Sequence, residues 1–138
     1  MTNTPNFIFH HGGVSVPDLE QAITWYGHVL GFELERKFFI EQANAKAAMV
    51  RRGDLRFEIF EVAGAAPLPD DRRHPPKDIK THGNKHVAFR VESVDAFIKI
   101  VEAKGADVAF VVEEDFGKGC FIRDCAGNLI EFIEDNRP

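Results

Sequence analysis

Between Phe7 and Val16 the chain alternates, with Ile8, Val14 and Val16 in one phase and Phe7, Phe9 and His11 in the other, which predicts a strand. The spacing then changes. Leu19, Ala22, Ile23, Tyr26 and Leu30 recur at helical intervals, Asp18 stands where an N-cap belongs with Gln21 three residues on, and Gly31 follows as a left-handed stop. Three strand-like runs come next: ELERKFFI, AKAAMVRR and LRFEIFEV. A turn containing Gly53 separates the last two.

The same order is then written again. HGGVSVPDLEQAITWYGHVLGFE begins at His11, and HVAFRVESVDAFIKIVEAKGADV begins 75 positions later, at His86. Ser93 takes the capping place, Val94, Phe97, Ile98 and Val101 form the stripe, and Gly105 ends it. DVAFVVE, GCFIRD and NLIEFIE complete the second set of strands. The pattern predicts an α+β fold of two tandem βαβββ modules with mixed sheets. The first spans about 6–62 and the second about 84–134, within a single domain covering 1–138. The segment from Ala63 to Gly83, rich in Pro, Gly and charge, reads as a linker. It is not a domain boundary, because a half of this size makes only a marginal core alone.

Composition narrows the function classes. A net charge of -5 offers no basic surface for nucleic acid or an anionic membrane. No apolar run reaches the length of a membrane span, and MTNTPNF lacks the basic and apolar regions of a signal peptide, so the expected location is cytoplasmic. Two cysteines, Cys120 and Cys125, are too few for a disulfide scaffold and have no second pair to complete a zinc site, so both read as reduced thiols.

The chemistry sits on the polar phases of the strands. Val87, Phe89 and Val91 alternate toward the helix, which leaves His86 on the other face, and His11 holds the same phase in the first half. Glu58 in LRFEIFEV and Glu131 in NLIEFIE likewise oppose their apolar neighbours. His11 and Glu58 are 47 positions apart, His86 and Glu131 are 45 apart. A carboxylate between apolar residues is costly to bury unless paired or bound to a cation. Two His and two Glu in repeated phase therefore form a candidate ligand set for one divalent ion: Zn, Ni, Co, Fe or Mn. On strict alternation His10 points away from His11 and is structural.

These motifs resemble the vicinal oxygen chelate superfamily, which contains glyoxalases, bleomycin-resistance proteins and extradiol dioxygenases. HGGVSVPDLEQAITWYGHVLGFE is similar to its opening motif, and HVAFRVESVDAF and FIRDCAGNLIEFIE to its second-half motifs. The resemblance implies a cup of two sheets around a metal held by His11, Glu58, His86 and Glu131, formed either within one chain or from modules of two chains, in a homodimer. It further implies a small-molecule substrate whose adjacent oxygens chelate the ion, with Glu131 moving a proton. The implied activity is that of a glyoxalase-like lyase or isomerase. A second implied activity is acyl-CoA epimerisation of the methylmalonyl-CoA type, with Glu41 as the second acid. A third is non-catalytic drug binding of the bleomycin-resistance type. Extradiol dioxygenases and fosfomycin-modifying enzymes use His, His and Glu alone, so Glu58 counts against both.

Overall fold

The computed structural model describes residues 3–137. Strand β1 (Gly12–Ser15) leads into helix α1 (Leu19–Leu30), followed by β2 (Glu33–Ile40), β3 (Ala45–Arg52) and β4 (Leu55–Val62). After the linker, β5 (Val87–Arg90) leads into α3 (Val94–Ala103), then β6 (Asp107–Glu114), β7 (Gly117–Arg123) and β8 (Leu129–Ile133). The linker carries a short helix of its own, α2 (Pro75–Asp78).

Each half forms one four-stranded mixed sheet, in the orders β1-β4-β3-β2 and β5-β8-β7-β6. β1 runs parallel to β4 and β5 parallel to β8, with every other pairing antiparallel. A βαβ crossover is what forces each parallel pair, since a helix must carry the chain back. Even the irregularities repeat: a bulge lies between Leu34 and Arg36 on β2, and another between Val108 and Phe110 on β6.

The helix ends follow from local chemistry. Asp18 Oδ1 accepts the Gln21 amide at 3.0 Å, and Ser93 Oγ accepts that of Ala96 at 3.2 Å. Gly31 takes φ 75°, which places its amide on the Gly27 carbonyl and that of Phe32 on the Tyr26 carbonyl.

The helix-side faces of both sheets contribute to one hydrophobic core, with Tyr26, Val50, Phe57 and Ile59 from the first half and Val94, Val101, Ile122 and Ile130 from the second. The Phe57 and Phe89 rings meet across the seam, 5.9 Å between centroids. A buried polar clamp also ties the halves. Asp124 accepts from Tyr26 Oη at 2.8 Å, from the Ala126 and Asn128 amides, and from Asn128 Nδ2, which also donates to the Ser15 carbonyl. Burial and the Asp124 charge push the Tyr26 hydroxyl well above its ordinary pKa, so it stays a donor.

The linker is more ordered than its composition suggests. Buried Asp78 accepts from Arg72 Nε at 3.0 Å and from Lys85 Nζ at 3.3 Å, and Lys85 also reaches the Asp78 and Thr81 carbonyls. Arg123 Nε donates to the Arg73 carbonyl, fastening the linker to β7. No helix among the described residues is long and apolar enough to cross a membrane.

Candidate metal centre

Register decides which side chains share the open face of each sheet, the one away from the helix. On β4, Glu58 lies opposite Gly13 of β1 and Met49 of β3. His11 is the residue just before β1 and has the same phase as Gly13. Its Nε2 is 3.5 Å from Glu58 Oε1. On β8, Glu131 lies opposite Ala88 of β5 and Phe121 of β7. His86 precedes β5, and its Nε2 is 3.8 Å from Glu131 Oε1. The His86 ring stands edge-on to Phe121, centroids 4.8 Å apart. All four side chains are half-buried, between 15% and 33% exposed, so each can reach a ligand without leaving its sheet.

Both halves contain a second glutamate three residues further on. Glu61 Oε1 accepts the amide of Leu19, the first residue of α1, at 2.8 Å, and Glu134 Oε2 accepts that of Val94, the first of α3, at 2.8 Å. An odd offset on a strand reverses the face, so these carboxylates turn to the helix N-termini, where a negative charge is favoured. The sequence carries their signal as a repeated Glu-x-x-Glu, whose second member falls on the helix-side phase.

His10 departs from expectation. Strand pairing begins at Gly12, so strict alternation does not apply to the two histidines, and His10 Nδ1 lies 2.7 Å from His11 Nδ1. One of the two Nδ1 atoms donates and the other accepts, so His10 can fix the tautomer of His11, whose Nε2 faces Glu58. Glu41 opens an exposed turn between β2 and β3. Ala45, just beyond that turn, is four residues along β3 from Met49, the register partner of Glu58, roughly 13 Å at strand rise. The structure does not bring Glu41 to the His11–Glu58 pair.

The two His–Glu pairs do not merge within one chain. Among the described residues no three His, Cys, Asp or Glu side chains are grouped to hold an ion, and the ion pairs of these four stay within their own halves. A cavity of about 880 Å³ lies at the seam under the linker, lined by Val16, Leu68, Arg73, Lys85 and His86, among others, but it does not reach His11, Glu58 or Glu131. The two pairs are the candidate site, since they hold ligand-type side chains in matched registers. The thiols are unsuited to it: burial pushes both Cys120 and Cys125 up to about 11, well short of thiolate at neutral pH.

Comparison with known proteins agrees with the fold. A family model described as Glyoxalase/Bleomycin resistance protein/Dioxygenase superfamily matches residues 10–122. A 2-epi-5-epi-valiolone epimerase from Actinomyces is 34% identical over 69% of this chain, and the match spans only 57% of that longer protein. The mitochondrial methylmalonyl-CoA epimerase of Bos taurus is 26% identical over 88% of this chain and 71% of its own length. A solved glyoxalase family protein from Enterococcus faecalis superposes with a TM-score of 0.75 at 24% identity, over 91% of this chain and 95% of that one, which is a likeness of fold.

Proposed function

The chain belongs to the glyoxalase/bleomycin resistance/dioxygenase superfamily, and from that premise we propose that it is a divalent-metal-dependent lyase or isomerase whose metal centre is completed by a second copy of the chain. The observation that carries the reading is the matched pair of half-sites, each supplying one imidazole and one carboxylate in the same register. A nitrogen and oxygen donor set of this kind suits Zn, Ni, Co, Fe or Mn. One half-site supplies two ligands, too few for a stable centre. A twofold dimer that places His11 and Glu58 against His86 of the partner subunit and Glu131 of the partner subunit generates two equal sites. Phe7, Ile8 and Phe9, just before His11, are 84%, 92% and 67% exposed, and offer the second copy an apolar contact beside the centre.

A divalent ion held by these residues would bind two vicinal substrate oxygens and would stabilise the negative charge that develops when a proton leaves the adjacent carbon. Glu131 takes that proton and returns it to the neighbouring carbon. His11 and His86 orient the site from the two sides, with His10 holding the tautomer of His11. A second reading, epimerisation, is favoured by the two curated relatives whose names are epimerases. It needs an acid on each face of the substrate, and Glu58, from the other half-site, meets that need better than Glu41 on its exposed turn. The third reading, a metal-free binding protein, is separated from both by metal analysis.

The test uses complementation. His11→Ala and His86→Ala should each lose stoichiometric metal, falling at least about 100-fold in affinity. Unfolded and refolded together, the two variants should regain one intact site in each mixed dimer, read as metal content and as a concentration-dependent rise in melting temperature. Loss of metal with no recovery on mixing would place the four ligands in one chain. Wild-type protein without any bound ion would remove the metal reading altogether. Once a substrate is found, Glu131→Gln should retain some metal but abolish exchange of the substrate proton with heavy water.

A further inference from the structure

The first sheet carries more on its open face than a metal half-site. Arg56 is two residues before Glu58 on β4, so it has the same phase, and β1 pairing continued back by one residue puts it level with His11. Arg51 is its register partner on β3, and Arg36 on β2 is the register partner of Met49, which in turn partners Glu58. Two of the three guanidiniums engage one carboxylate, Glu35, in the β2 bulge. Arg56 Nε donates to it at 3.2 Å, Arg51 Nη1 lies 3.8 Å away, and the Arg36 guanidinium stacks 4.5 Å over the Phe38 ring. The Glu35 carboxyl is held below its ordinary range, first by the hydrogen bond from Arg56 and then by the charges of Arg56, Arg51 and Arg36. Glu33, the register partner of Arg51, makes no ion pair with them.

Arg51 and Arg56 share the single carboxylate of Glu35, and with Arg36 they concentrate guanidinium donors next to the candidate centre. The fold does not require this cluster, because the second half reaches the same His–Glu geometry without it. There Leu129 stands in the place of Arg56 and Phe110 in that of Arg36, while Arg123, in the place of Arg51, is neutralised by Asp107 at 3.0 Å and donates to the Arg73 carbonyl.

We propose that Arg36, Arg51 and Arg56 form a subsite for an anionic group of the substrate, a carboxylate or a phosphate, beside the oxygens that chelate the metal. Planar guanidiniums present paired donors that match such oxyanions, and Arg56 and Arg51 remain 23% and 45% exposed and so reachable. Arg56 and Glu58 are two positions apart on β4, about 7 Å. The anionic group therefore lies close to the chelated oxygens. That proximity suits a compact organic acid or phosphate ester. The proposal rests on the metal-centre reading, but its test does not.

The probe is inorganic phosphate, titrated calorimetrically into the metal-free protein at constant ionic strength, with succinate as the carboxylate arm. Wild type should bind at least one of the two. Arg51→Gln/Arg56→Gln should weaken that binding at least tenfold. Arg36→Gln, whose guanidinium makes no ion pair, tests the same subsite with little risk to folding and should weaken it severalfold. Glu35→Gln, which removes the competing carboxylate, should strengthen it, and Arg123→Gln in the second half should leave it unchanged. No binding of either anion by wild type, or equal binding by the arginine variants, overturns the subsite. Metal content of the double variant is measured in parallel. Unaltered metal with arginine-dependent anion binding supports both readings, whereas metal without it defeats the subsite alone.

Discussion

The two halves hold the same histidine and glutamate in the same register, yet the rest of their open faces differ. In the first, arginines surround Glu35 next to His11 and Glu58. In the second, the corresponding positions are apolar or already neutralised, and Phe121 packs against His86. The helix-side carboxylates are repeated as well: Glu61 and Glu134 each receive the first amide of their helix. What recurs in both halves is what the proposed metal ligand pair and a strand–helix junction need. What differs is what a substrate with one charged end would meet. A duplicated fold thus serves as its own control, separating residues that the architecture demands from those that give each face its chemistry.

The largest expected effect tests how far the halves depend on each other. Asp124 satisfies four donors at the seam, so Asp124→Ala should leave buried amides unpaired and cost about 3 kcal/mol. Tyr26→Phe removes a single donor and should cost roughly 1.5 kcal/mol. Urea unfolding checks both, and a single cooperative transition that splits into two in Asp124→Ala would show that each half folds with its own stability.

A smaller effect sharpens the contrast between the two capping carboxylates. Glu134 accepts from two backbone amides, Val94 and Lys118, and these bonds lower its pKa below the ordinary 4.5. A group with a lowered folded pKa contributes stability that is complete above the unfolded value and is lost as pH falls through the folded one. Glu134→Gln should therefore flatten the acid limb of stability below about pH 4.5. Glu61 accepts one backbone amide where Glu134 accepts two, so Glu61→Gln should cost less stability at neutral pH than Glu134→Gln. Chemical unfolding from about pH 6 to about pH 3 measures the difference.

The smallest effect concerns His10, which has no counterpart beside His86, where Lys85 is engaged with the linker instead. His10→Ala should retain the metal that His11→Ala loses, with an affinity weakened roughly tenfold through the free tautomer of His11. Competition with a chromogenic chelator reads both. Equal loss in the two variants would make His10 a ligand in its own right.

Much of the molecule was legible along the chain. The runs 33–40, 45–52 and 55–62 are the observed strands to the residue, the caps at Asp18 and Ser93 are in place, and the phases of Glu58 and Glu131 are as alternation requires. Period, capping and side-chain phase are local properties, set by backbone geometry and by the few residues on either side, so a sequence states them directly. His10 escaped because pairing with β4 starts only at Gly12, and the edge of a ladder is settled by the neighbouring strand. The Asp78 clasp escaped because Arg72 and Lys85 meet it through a folded linker whose composition predicts only a loop. The arginine cluster escaped because it needs the β2–β3–β4 register, and the separation of the two His–Glu pairs because it follows from how the halves pack. The chain alone determined which groups face away from each helix. The tertiary structure decided which of those groups meet, because contacts between distant segments depend on the packing of one shared core and not on the period of either half.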